Sequence, residues 1–289
     1  MKHLSYCVLS ALILSACGPG FKPNSIHIPT DLEAMQLQMD QLTRTSLVKE
    51  MKFDSTKGLM NSPLLLQNEV VLSNPNNEDQ YVDTGMSIQN YAQSTISVWF
   101  KANDVTKIEH IFWQGVTTQN GWGSGSNTPN ESELNVTLNH WSMVNGSVIA
   151  VFLGYNEQAL LPDLLPVSFP TAWNQTTHHS GLIGNLTTLD TSWHNLVVTI
   201  DNRSTEIEIQ TYYDGNLLNS GTGKQTDISH WNSTLRLGRA GQDHFRNFDG
   251  KLKEFMMFDK VLSKDDVSLI YKLQKPTALA PDMTQLVPY

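Results

Sequence analysis

The sequence predicts an all-β fold: a two-sheet antiparallel sandwich, preceded by a tether with a helical segment and closed by a short helix. Three observations carry that prediction. From about residue 52 to about residue 259, apolar residues alternate in short runs broken by Gly, Asn, Asp and Pro. Period-two alternation with frequent turn signals is the pattern of half-buried strands. Beyond residue 262 the spacing changes to that of a helix. The 2 Cys both lie near the start, at 7 and 17, so no disulfide staples the domain and burial alone must hold it. A sandwich can absorb this many residues, so 289 residues do not require two domains.

The N-terminus sets the expected compartment. Lys2 is followed by a mostly apolar run, residues 6–16, that ends in small residues. It is too short to span a membrane and has the layout of a signal peptide. Leu14-Ser15-Ala16-Cys17 resembles a bacterial lipobox, in which the cut falls before the cysteine and its thiol carries lipid. Ordinary secretion with cleavage nearby is the alternative. On the lipobox reading, 1–16 is the signal and Cys17 the lipidation site. The absence of Asp after Cys17 resembles an outer-membrane address, with the displayed face open. The formal charge is -9, and loss of Lys2 with the signal takes it to -10. An acidic chain without a basic run is a poor partner for nucleic acid or anionic lipid, so membrane attachment would rest on the acyl chains alone.

Residues 17–51 read as an acylated tether, with Gly, Pro and Asn frequent up to residue 29. Within it Leu32, Met35, Met39 and Leu42 fall at near-helical spacing behind Thr30 as N-cap. This segment, 30–50, is a helix packed on the domain or a stalk. The sandwich is assigned to 52–275 and a tail to 276–289. The clearest strands are 95–101, 147–153, 195–201, 206–213 and 234–237. In 95–101, Val98 and Phe100 alternate with Trp99, so both faces are apolar, as in a buried strand. In 206–213, Ile207 and Ile209 point to the core and Glu206, Glu208 and Gln210 outward, and Asp214-Gly215 turns the chain. Ser263 with Asp266 three residues on caps the final helix, whose apolar stripe is Val267, Ile270 and Tyr271, and Pro276 ends it. Two long inserts remain, 117–130 and 156–184, and long loops on a rigid sandwich are where binding usually resides.

Four segments, in order, resemble the laminin G-like, concanavalin A-like jelly roll of bacterial extracellular proteins. They are Tyr81-Val-Asp-Thr-Gly85, Thr95-Ile-Ser-Val-Trp-Phe-Lys101, Ser192-Trp-His-Asn-Leu-Val-Val-Thr199 leading to Asp214-Gly215, and Leu235-Arg-Leu-Gly238 leading through Phe248-Asp-Gly250 to Leu262-Ser263. The resemblance implies a jelly-roll sandwich with loops at one rim. It further implies recognition of glycans or proteins, often with Ca2+, and usually no catalysis.

Catalytic signatures are incomplete. Retaining glucanases of sandwich folds carry Glu-x-Asp-x-Glu on one strand, so that the side chains share a face. Here one frame gives Glu206, Glu208 and Gln210 and a second gives Glu131, Glu133 and Asn135. Both lack the third carboxylate, and these acids are read as solvent-facing. His178 and His179 are adjacent and point apart on an extended chain, which suits a shared zinc poorly. His140, His194, His230 and His244 each lie beside an aromatic residue and are read as packed or hydrogen-bonded. Asp83, Asp104, Glu131, Asp243 and Asp249 are the candidate calcium ligands, though no spacing fixes a site. Asp265 and Asp266 are read as helix N-terminal charges. Trp122 and Trp173, with Asn127 and Asn130, are the candidate ligand-binding residues, because a loop Trp can offer a flat face to a sugar. Trp99, Trp113, Trp141, Trp193 and Trp231 are expected in the core. Asn-x-Ser/Thr triplets such as Asn135-Val-Thr137 are read as Asn-rich turns.

The expected function is therefore a lipid-anchored, non-catalytic module of the cell envelope that binds a glycan or a protein through its loops. A structural or assembly lipoprotein acting through 30–50 is the alternative, and a glycan hydrolase a third.

Overall fold

The computed structural model of the protein describes residues 30–53, 55–61, 63–66, 68–74, 79–115, 133–139, 148–155, 179–185, 189–204, 206–224, 228–229, 231–240 and 246–275. The chain divides into two units, Met1–Leu37 and Gln38–Tyr289. Helix α1 (Asp31–Ser46) crosses that division. Thr30 caps it reciprocally: Glu33 N donates to Thr30 Oγ1 at 3.3 Å, and Thr30 N donates to Glu33 Oε2 at 2.7 Å. Met39 and Leu42 in its second half are buried.

The chain passes from α1 straight into β1 (Leu47–Met51), which pairs with β15 (Gly250–Phe258). The sequence places 47–51 in the tether, but Val48 and Met51 pack against the core and pull the segment into the sheet. The intervening strands are β2 (Leu59–Met60), β3 (Leu64–Leu66), β4 (Glu69–Leu72), β5 (Tyr81–Asp83), β6 (Gln93–Ala102), β7 (Glu109–Gly115) and β8 (Glu133–Leu138). They continue with β9 (Val148–Tyr155), β10 (His179–Asn185), β11 (His194–Asp201), β12 (Glu206–Tyr213), β13 (Asn216–Lys224) and β14 (Arg236–Leu237). Two antiparallel sheets result. The first runs β13–β12–β11–β6–β15–β4–β3 with β1 also on β15, and the second runs β10–β9–β8–β7–β14–β5–β2. Late strands insert between early ones, β15 beside β6 and β14 between β7 and β5, as a jelly roll requires.

The core lies between the sheets. Ile96, Val98, Phe100, Leu196, Val198 and Leu252 of the first sheet meet Val82, Phe112, Leu134, Val136, Val151 and Leu237 of the second. Ile207 and Ile209 are buried while Glu206 and Glu208 are exposed, as their alternation predicts. Asp214 and Gly215 both take positive φ, 49° and 75°, the conformation of a tight hairpin turn. Register shifts in β15 between Lys253 and Met256, where Glu254 has φ 50°. That irregularity lets Phe255 and Met257 face the core while Met256 remains buried outside it.

The outer face of the first sheet is covered by helix α2 (Lys264–Gln274). Ser263 and Asp266 form the capping box the sequence predicts. Trp99 stacks on Tyr271 with centroids 5.6 Å apart and an interplanar angle of 11°, and its Nε1 donates to Gln274 Oε1 at 3.2 Å. Trp99 is fully buried here, under the helix rather than between the sheets. The expected insert 156–184 ends differently from its sequence reading, because His179–Asn185 forms β10 and pairs with β9.

Candidate functional site on the second sheet

The second sheet turns a polar and aromatic face away from the core. On β8, Leu134, Val136 and Leu138 enter the core, so Glu133, Asn135 and Thr137 occupy the other face. By the same alternation β14 sends Leu237 inward and Arg236 outward, and β5 sends Val82 inward and Tyr81 and Asp83 outward. The register aligns these positions in one row. Arg236 is opposite Asp83 on one side and Trp113 on the other, and Trp113 is opposite Asn135.

The row is wired by side chains. Trp113 Nε1 donates to Glu133 Oε2 at 2.6 Å, and Asn135 Nδ2 donates to Glu133 Oε1 at 3.1 Å. His110 Nδ1 lies 2.9 Å from Asn135 Oδ1. The Arg236 guanidinium sits over both Tyr81 and Trp113, 5.2 and 5.5 Å from the ring centroids, and Arg239 sits 5.3 Å from the Tyr81 centroid. Cation–π contacts of this kind hold a guanidinium flat against a ring. Burial, reinforced by the like charge of Arg239, lowers the pKa of Arg236 below its ordinary value, against the opposing pull of Tyr81 and Asp83. At the edge, Arg239 Nη2 is 3.7 Å from Asp79 Oδ1, and Asn247 Nδ2 donates to the same oxygen at 3.3 Å. The rings of Tyr81 and Trp113 are buried and serve to hold the guanidinium groups, and the polar groups the row offers are guanidinium and amide donors and carboxylate and amide acceptors.

Several sequence readings change here. Glu133 is 5% exposed, not solvent-facing, because strand alternation lays it beside Trp113. Asn135-Val-Thr137 lies within β8 and not in a turn. Trp113 is fully buried but belongs to the outer-face row, whereas Trp231 joins the core and Trp193 is half-buried. No sequence motif marks Tyr81, His110, Arg236, Arg239 or Asn247 as ligand-binding residues. Arg236 had a weak signal: it is the lone charge in the apolar run Leu235–Leu237. Trp122, Trp173, Asn127, Asn130, Glu131, Asp243, Cys17, His140, Trp141, His178, His230 and His244 lie outside the described residues.

The described calcium candidates do not converge. Asp83 Oδ1 accepts from Gly85 N at 2.9 Å and from Thr234 Oγ1 at 2.5 Å. Asp104 Oδ1 accepts from Thr106 N at 2.9 Å and Oγ1 at 2.6 Å, and Asp249 Oδ1 from Asn74 N at 3.0 Å. Each closes a local turn or ties two segments, and among the described residues no three His, Cys, Asp or Glu are grouped to hold a metal.

A second cluster has the outline of a nucleophile–base pair. His194 Nδ1 is 2.9 Å from Asp214 Oδ2, and its Nε2 is 3.4 Å from Ser192 Oγ. The same Nε2 is also 3.3 Å from Asp190 Oδ1. Burial opposes protonation of His194, but Asp214 and Asp190 outweigh it and the pKa is raised. Carboxylates face both ring nitrogens, and Asp190 Oδ1 lies nearer to Nε2 than Ser192 Oγ does, so Nε2 is not held for the serine hydroxyl alone. The imidazole also stacks on Tyr213 at 4.9 Å, so it is packed and hydrogen-bonded, as its aromatic neighbour suggests.

Comparison with known proteins agrees with the fold. Residues 166–268 match the laminin G family model described as the concanavalin A-like lectin/glucanases superfamily. That span includes Arg236 and Arg239 but none of the β5, β7 and β8 residues of the row, which precede it in the chain. No curated protein matches the chain. Among solved structures it is similar to the receptor binding domain of botulinum neurotoxin C/D mosaic serotype, at 16% identity and a TM-score of 0.51. That likeness covers 79% of this chain and 51% of the toxin domain. It is also similar to the Ruminococcus gnavus IT-sialidase CBM40 bound to alpha2,3 sialyllactose, at 13% identity and a TM-score of 0.48, over 70% of this chain and 96% of that one. The chain carries a laminin G-like jelly roll of the concanavalin A-like type.

Proposed function

We propose that this protein is a non-catalytic binding module that recognises a glycan across the outer face of its second sheet. The observation that carries the reading is the row Asp83–Arg236–Trp113–Asn135 with Tyr81 beside it. Guanidinium groups oriented by the buried Tyr81 and Trp113 rings, beside amide and carboxylate groups with fixed partners, suit polyhydroxylated rings, which need many directed hydrogen bonds. Catalysis is disfavoured by the same residues: Glu133 is committed to Trp113 and Asn135, and the exposed Glu206–Glu208 frame continues into Gln210. Acyl chains on Cys17 would hold the module at a bacterial envelope, on the outer membrane.

A glycan array probed with the purified protein tests the binding reading. Retention of defined oligosaccharides is expected, weakened at least tenfold by Arg236→Gln and unchanged by Glu208→Gln on the first sheet. No retained glycan, or equal retention by Arg236→Gln, would contradict it. Incorporation of labelled palmitate that disappears in Cys17→Ser tests the anchor.

A further inference from the structure

We infer that the ligand taken by this face is an oligosaccharide bearing a carboxylate, read by Arg239 together with Asn247. The inference rests on the glycan-binding reading above and adds its chemical class.

Arg239 and Asn247 each hold a buried polar atom without a partner, Arg239 Nε and Asn247 Oδ1. Asn247 is 3% exposed, and the Arg239 side chain is 13% exposed. Asp79 ties the two together, 3.7 Å from Arg239 Nη2 and accepting from Asn247 Nδ2 at 3.3 Å. A buried donor or acceptor left unmet is costly, and native proteins rarely keep one without use. Here an unmet donor and an unmet acceptor share one carboxylate neighbour.

The two unmet groups define a complementary ligand. Arg239 Nε belongs to a planar fork whose natural partner is a carboxylate accepting two parallel N–H bonds. Asn247 Oδ1 calls for a donor, which a sugar hydroxyl supplies. A sugar acid carries both groups on one ring. A second cation stands close, since Arg236 and Arg239 share the Tyr81 ring at 5.2 and 5.3 Å. Asp79 and Asp83 balance this pair in part, and a ligand anion would relieve the repulsion that remains. The chain as a whole is acidic, at -9, so its long-range field does not attract anions. Preference for an acid must then come from these local contacts.

The test measures binding of uronate oligomers and of the same oligomers with each carboxylate reduced to the alcohol. The wild type should prefer an acidic oligomer over its reduced form on the order of 10- to 100-fold, the worth of a charge-assisted pair. Arg239→Gln should abolish that preference, and Arg239→Lys, which keeps charge but loses the fork, should retain only part. Arg203→Gln, an exposed arginine paired with Asp201, should leave it intact. Equal binding of acidic and reduced oligomers overturns the inference, as does a preference that survives in Arg239→Gln. If neutral glycans still bind and Arg236→Gln still loses them, only the carboxylate assignment fails. If no carbohydrate binds, the broader reading falls with it.

Discussion

Replacing Glu109 with Gln should make the protein more stable at neutral pH. Glu109 opens β7, is 2% exposed, and its Oε2 has no hydrogen-bond partner. Burial pushes its pKa from 4.5 up to about 8; the Asp249 backbone N–H and Lys107 oppose the rise, and the charges of Asp249 and Asp104 add to it. Below about pH 4.5 the group is protonated in folded and unfolded chains alike, so it does not affect the balance. Between that pH and about 8 the unfolded chain gives up the proton while the folded one keeps it. The folded state then binds more protons, and stability falls as pH rises, by about 1.4 kcal/mol per pH unit. At pH 7 the accumulated loss is about 3 kcal/mol, a large fraction of a typical domain's stability. Gln keeps the shape of the neutral acid and cannot ionise. Urea unfolding followed by Trp fluorescence at several pH values from 4.5 to 8.5 gives both stability curves. The wild type should fall progressively below Glu109→Gln with rising pH, with the two meeting near pH 4.5. Parallel curves would refute the reasoning.

Two further outcomes follow from the same physics. His194 has a raised pKa, so its contribution is fully present below the ordinary histidine value and lost as pH rises through the folded one. Asp214→Asn should lower that pKa, read from the imidazole proton shifts by NMR, and an unmoved titration would contradict the pairing. Ser263→Ala should cost about 1 kcal/mol through loss of the α2 cap, measured as a shift in urea midpoint.

The strand 206–213 is legible because one face is buried and a period of two marks it, whereas 95–101 and 195–201 are legible as short apolar runs buried on both faces. The final helix was legible from its cap. β1 was not: Leu47-Val-Lys-Glu-Met51 follows α1 with no Gly or Pro between, and only its pairing with β15 makes it a strand. β10 was hidden as well, since His179-Ser-Gly-Leu-Ile-Gly-Asn185 carries two glycines and follows a Pro-containing stretch. The site itself was illegible for a different reason. Tyr81, Trp113, Glu133, Arg236 and Asn247 are distant in the chain and meet only because β14 inserts between β5 and β7. An outward strand position reads as solvent-facing in any single strand, so Glu133 looked as ordinary as Glu208. The buried network that separates them exists only across strands.

Hydrogen exchange with and without a saturating oligosaccharide from the array addresses the central claim most directly. Binding at the outer face of the second sheet predicts slowed exchange at Tyr81–Asp83, Glu109–Gly115, Glu133–Leu138 and Arg236–Leu237. Slowed exchange confined to β12, β13 or α2, with those four strands unchanged, would contradict it.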